Sequence, residues 1–201
     1  MTNVDSSRFY FDFLDPLSHL VELELREVER THGGRVARVP FELRPPPAPM
    51  LDPGAEAWRT RWDTAARAAE AREARLPDPP ALIPWTRKAH ELVLIAEEQD
   101  LGSRVRRVLF ERAFDARVDI GRIDVLVAIA VELGMDETET KATLDVDRHT
   151  PTVERARTAA EAEGVRAPPT LVFAGRKLEG FHNADEIVSF LDFPSTPAGK
   201  G

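Results

Sequence analysis

The chain has 201 residues, of which 42% are hydrophobic and 31% charged, with a net charge of -8 and no cysteine. That length supports one well-buried core with room for a sizeable insertion. The acidic balance offers no broad positive field to nucleic acid or a membrane surface, and the missing thiols exclude disulfides, thiolate metal sites and redox or nucleophilic chemistry by a cysteine of this chain. The polar start MTNVDSSR is unlike a secretory leader. No apolar run reaches the ~20 residues of a membrane span, so a cytoplasmic protein is expected.

Residues 9–13, FYFDF, read as a buried strand that turns tightly into a helix opening near Pro16. Leu17, Leu20, Val21, Leu23, Leu25 and Val28 give this helix one broad apolar face, and Gly33-Gly34 ends it. Asp is a favoured N-cap and Pro is favoured in the first turn, so Asp15-Pro16 has a purely structural reading. Ser18 can bond back to Asp15 or meet a ligand. His19 beside it reads as a surface or core histidine rather than a general base. Residues 35–43 form a second strand, broken by charge and ending irregularly around Pro40. The strand-helix-strand length predicts a parallel pair.

The segment RPPPAPMLDPG is too rich in proline for either regular element and marks a boundary. From residue 55 to about 162 the pattern is helical. Helices are expected over 56–75, with Trp58 and Trp62 as packing anchors, then over 85–99, 103–114 and 123–133. A short helix follows Asp136, and another, with Thr150 as its N-cap and Pro151 at its first position, ends at Gly164. Arg87 and His90 share a helical face and could clamp an anionic ligand; an exposed basic face beside Glu91 is the plainer alternative. Residues 170–173 and 177–179 read as a hairpin around Ala174-Gly175. Asn183 caps a last helix whose free N–H groups, next to His182, could seat a ligand carboxylate, against ordinary capping. The tail 194–201 is expected to be disordered. The five histidines show no metal-ligand spacing.

Three segments resemble the DsbA-like thioredoxin-fold family. FDFLDPLSHL is similar to its strand and Cys-Pro-x-Cys or Ser-Pro-x-Ser turn, and GVRAPPTLVFAGRKLEG to its cis-proline segment and hairpin. The stretch from PWTRKAHELVLI to VAIAVELGMD resembles the helices of the FrnE-like and hydroxychromene-carboxylate isomerase branches. The resemblance implies an α/β thioredoxin-like fold in two parts, 8–45 and 151–193, around an inserted all-helical domain at 55–150. It places Asp15 and Ser18 where redox members carry cysteines and where the isomerases and kappa-class glutathione transferases carry a leading serine. It also places the cis-proline at Pro169, just before Thr170. The residue preceding it, Pro168 here, pairs in the family with the backbone of glutathione or a substrate peptide through N–H and C=O. Pro168 has no N–H to give, and an ionised Asp15 would repel a thiolate.

Three functions follow as expectations. One is a family member without thiol chemistry that binds a peptide or small molecule in the cis-proline cleft. A second is an isomerase or transferase with glutathione as its thiol cofactor, held by Ser18, Thr170 and the last helix. A third is a structural module, since the segment 55–75 could pack on a second copy to form a homodimer or could simply face solvent.

Overall fold

The computed structural model describes residues 7–74, 76, 79–80, 82–114 and 118–193. The expected tail 194–201 lies outside them. Four strands, β1 (Arg8–Phe11), β2 (Ala37–Pro40), β3 (Thr170–Phe173) and β4 (Arg176–Glu179), make one sheet in the order β2-β1-β3-β4. β1 pairs in parallel with β2 and antiparallel with β3, and β3 and β4 form the hairpin. Helix α1 (Pro16–His32) connects β1 to β2. Between β2 and β3 come α2 (Glu56–Glu70), α3 (Arg87–Glu97), α4 (Gly102–Phe114), α5 (Ile123–Glu132), α6 (Glu137–Asp145) and α7 (Thr150–Ala162); α8 (Ala184–Phe190) closes the order.

Period-two alternation along β1 divides the core between the two faces of the sheet. Phe9 and Phe11 join a large cluster with Leu25, Trp62, Leu92, Phe110 and Ile187, while Tyr10 packs on the other face with Phe41, Ala160, Val165 and Val172. The larger cluster is rich in rings: Phe13 lies 4.9 Å from Phe110, and Trp62 5.8 Å from Phe114. Trp58 and Trp62 are both buried, as packing anchors should be. No helix among the described residues is long and apolar enough to cross a membrane.

The elements differ from the sequence pattern mainly at their ends. β1 stops at Phe11, because Asp12 leaves the ladder: its carboxylate accepts from the Leu43 N–H, and its own N–H points to Ser18 Oγ. β2 is four residues long and ends at Pro40, which has no N–H to continue a ladder. α2 ends at Glu70 rather than near 75, with a turn that puts Glu73 at φ 57°. Thr150 is the first residue of α7 rather than its cap, a position held by His149.

Sheet direction decides which loops meet. Because β3 runs antiparallel to β1, with Tyr10 opposite Thr170, the residues that follow β1 face those that precede β3. The turn at 12–15 and the segment at 167–169 therefore share one end of the sheet.

Candidate functional site

Asp15 caps α1 from extended backbone (φ -80°, ψ 111°), and Pro16 occupies the first turn, where its missing N–H costs nothing. One carboxylate oxygen, Oδ2, accepts from the Ser18 N–H at 2.9 Å and from the Ser18 hydroxyl at 2.6 Å. The other, Oδ1, accepts from Arg61 Nε at 2.6 Å. Asp15 and Ser18 are fully buried. Burial pushes the Asp15 carboxyl above its usual range, against the opposing pull of Arg61 and of the Ser18 bonds.

Arg61 comes from α2, which packs against α1 through Leu17, Leu20, Ala65 and Ala69. Its Nη2 donates to the carbonyl of Pro168. One guanidinium thus joins the turn after β1 to the segment before β3, using a planar fork of donors. The Pro168–Pro169 peptide is cis. Around it, the Thr170 hydroxyl donates to Ala167 O at 2.7 Å, and Gly180 N–H donates to Pro169 O at 2.9 Å. Thr170 is buried, as are Pro168 and Pro169.

Beneath this corner lies a second buried pair. His90 Nε2 stands 3.5 Å from Asp12 Oδ1, and the imidazole packs on Phe11 and Phe13 at centroid distances of 5.2 Å and 4.8 Å. Burial would raise the Asp12 carboxyl, but His90, the Leu43 N–H and Thr86 outweigh it and hold the group below its usual range. His90 is therefore a core histidine facing a carboxylate.

The remaining candidates fall elsewhere. Arg87 lies between the fully buried Glu42, at 2.9 Å, and Glu154, at 2.6 Å, and so ties the loop after β2 to α7. Arg87 and His90 thus share no anion-binding face: one is held in ion pairs and the other is buried. His182 contacts Glu186 at 3.3 Å and Glu179 O at 3.1 Å. Asn183 forms a reciprocal capping box with Glu186 over the seven residues of α8. Among the described residues no group of His, Asp and Glu is arranged to hold a metal ion.

Sequence reasoning missed Arg61 and Asp12. A signal for Arg61 existed, since Trp58, Trp62, Ala65 and Ala69 mark the buried face of α2 and Arg61 sits beside that stripe. For Asp12 the signal was a carboxylate inside an aromatic run, FYFDF.

Fold and corner together define a thioredoxin-type scaffold in which the turn after β1 carries a carboxylate and a hydroxyl, in a chain without cysteine. The model of the DSBA-like thioredoxin domain matches residues 8–192, and the chain belongs to that family. The uncharacterized protein YwbO of Bacillus subtilis (strain 168) is 26% identical over 183 residues, covering 89% of this chain and 91% of YwbO. Among solved structures, a 2-hydroxychromene-2-carboxylate isomerase superposes with a TM-score of 0.74 at 17% identity, covering 92% of each chain. The cytosolic disulfide reductase DsbM of Pseudomonas aeruginosa does so with a TM-score of 0.68 at 16% identity, covering 92% of this chain and 96% of DsbM; it has also been solved with GSH. These likenesses concern the fold.

Proposed function

We propose that this chain is a DsbA-family protein that has left thiol–disulfide exchange and uses its cis-proline corner to bind a carboxylate-bearing peptide or small molecule. Arg61 carries this reading. Its Nε and Nη2 are spent on Asp15 and Pro168, while Nη1 has no partner among the described residues and the side chain is 24% exposed. A guanidinium oriented by two fixed acceptors is preorganised for a carboxylate. It is bonded to Asp15, the position at which the resemblance expects the first thiol of redox relatives. The same arrangement bears against a substrate thiol. The Asp15 carboxylate lies beside that position, and the Pro168 carbonyl, an acceptor the family offers to a ligand backbone, is already engaged.

The second reading is a glutathione-dependent isomerase or transferase, favoured by the fold likeness to the isomerase and to DsbM, a protein also solved with GSH. It requires Ser18 Oγ to leave Asp15 Oδ2, now 2.6 Å away, before it can donate to sulfur. The organisation that goes with the first reading is a two-part thioredoxin-like unit, 8–45 and 151–193, around an inserted helical domain at 55–150, in a cytoplasmic protein without nucleic-acid or membrane partners.

Amide chemical-shift titrations with glutathione and S-methylglutathione separate the two readings. A carboxylate-binding corner responds to both alike at residues 15–18, 61 and 168–170, and Arg61→Gln abolishes the response. Binding that requires the free thiol supports the enzyme and overturns our reading. Shifts confined to other parts of the molecule overturn both.

A further inference from the structure

Six arginines, Arg26, Arg30, Arg35, Arg38, Arg72 and Arg106, line an open cavity of ≈ 1260 Å³ in a protein whose net charge is -8. The cavity lies between the C-terminal half of α1, the start of β2 and the α3–α4 connection. Because α1 carries the chain back from the end of β1 to the start of β2, this is the opposite end of the sheet from the cis-proline corner. None of the residues of that corner lines it.

The cations there differ in how they are held. Arg38 is held in two ion pairs: Nε donates to Glu22 at 2.9 Å, and Nη1 donates to Glu29 and to Val36 O. Arg30 is paired with Glu27, and Arg72 with Glu24. Arg106 is different. It is 8% exposed, its Nε reaches Glu22 at 3.4 Å, and its two terminal nitrogens have no hydrogen-bond partner among the described residues. Burial and the neighbouring Arg38 lower its pKa, with Glu22 and Glu97 opposing. Arg26 and Arg35 are exposed and likewise have no carboxylate partner among the described residues. On the acidic side, Glu27, Glu29, Glu97 and Asp100 also line the cavity; Glu27 and Glu29 are taken up by Arg30 and Arg38, and burial raises the Glu97 carboxyl. Gly102 and Ser103, the first turn of the 13-residue α4, complete the lining, and the positive end of the helix opens there.

We propose that this cavity is a second ligand site, which binds a small molecule carrying a dense oxyanion, either a pyrophosphate-like group or clustered carboxylates. Arg106 is anchored on one side by Glu22, which leaves its terminal nitrogens free to donate to an oxyanion in the cavity. Arg26 and Arg35 stand at the mouth as further donors and draw the anion in. The site rests on geometry separate from the cis-proline corner, so either can fail without the other.

Inorganic pyrophosphate and citrate serve as probes, titrated into the full chain at low ionic strength and read by calorimetry and thermal unfolding. The expected result is saturable one-to-one binding by at least one probe, the tighter probe naming the ligand chemistry. Arg106→Gln should weaken it by about tenfold or more, the effect of losing one hydrogen bond to a charged group. Because Arg106→Gln also disturbs Glu22, the exposed double variant Arg26→Gln/Arg35→Gln provides a check that leaves the fold intact, and it too should weaken binding. Failure of both probes to saturate, or affinities unchanged in both variants, overturns the proposal. A response that rises with ionic strength alone, without saturation, overturns it as well.

Discussion

Arg61 Nε lies 2.6 Å from Asp15 Oδ1, and the carboxylate it meets is fully buried. An anion capping a helix from inside the protein requires a cation, and α2 supplies it from 46 residues away. The turn after β1 is closed by an ion pair, with Ser18 as its third member.

The first prediction concerns that pair. Removing one partner of a buried ion pair leaves an uncompensated charge, which costs about 3 kcal/mol or more. Arg61→Met should lower the urea-unfolding free energy by roughly that amount. Asp15→Asn with Arg61→Met should cost less than the sum of the single changes, since the two act through one interaction. A loss below ~0.5 kcal/mol for Arg61→Met, the range of an ordinary surface change, would mean that Arg61 does not balance Asp15.

The second prediction is a pair of opposite pH slopes. Asp12 is held below its usual range in the folded protein, so its contribution to stability is present above the ordinary carboxylate range and is lost as pH falls toward its folded value. Asp15 is pushed above its usual range, so its contribution is greatest at low pH and is lost as pH rises through the folded value. Relative to wild type, Asp12→Asn should therefore become more destabilising as pH rises from acid to neutral. Asp15→Asn should become less so over the same span. Chemical denaturation from acid to neutral pH measures both, and parallel slopes would refute the assignment.

The fold was legible because its elements announce themselves by period and punctuation. Leu17, Leu20, Val21, Leu25 and Val28 form one face of α1, Gly33 and Gly34 end it, and the period change after Gly164 marks the return to the sheet. Asp15, Pro16 and Ser18 were legible as a helix start for the same local reason. The site's partners were not. Arg61 is one of several arginines in a helix of Ala, Arg and Glu, and only packing on Leu17 and Leu20 selects it. Arg87 and His90 are spaced to share a face, but spacing along a helix does not tell that Glu42 and Asp12 wait on other elements.

Arg87 supplies the third prediction. Glu42 is fully buried, and its carboxylate is held by Arg87 Nε and Nη2. Arg87→Met should destabilise the protein by about 3 kcal/mol through the stranded Glu42 charge, and Glu42→Gln added to it should recover much of that loss. A residue kept for binding an anion would behave otherwise. Its removal would leave unfolding unchanged and affect only ligand affinity.

The last prediction restores the missing chemistry. The Ser18 hydroxyl approaches Asp15 Oδ2 to 2.6 Å, so side chains at these two positions already meet across the first turn of α1. Asp15→Cys with Ser18→Cys should therefore form an intramolecular disulfide that dithiothreitol opens. A thiol introduced at position 15 would lie at a helix N-terminus beside Arg61, two influences that lower a thiol pKa below its ordinary value of about 8.5. Its alkylation rate by iodoacetamide should thus titrate below that value. Arg61→Met in the same background should move the titration upward, because the cation is gone while the helix remains. A folded double-cysteine protein, judged by circular dichroism, that forms no disulfide would show that positions 15 and 18 do not stand where the family holds its thiols. An alkylation profile indifferent to Arg61 would show that the guanidinium does not govern the charge at this corner.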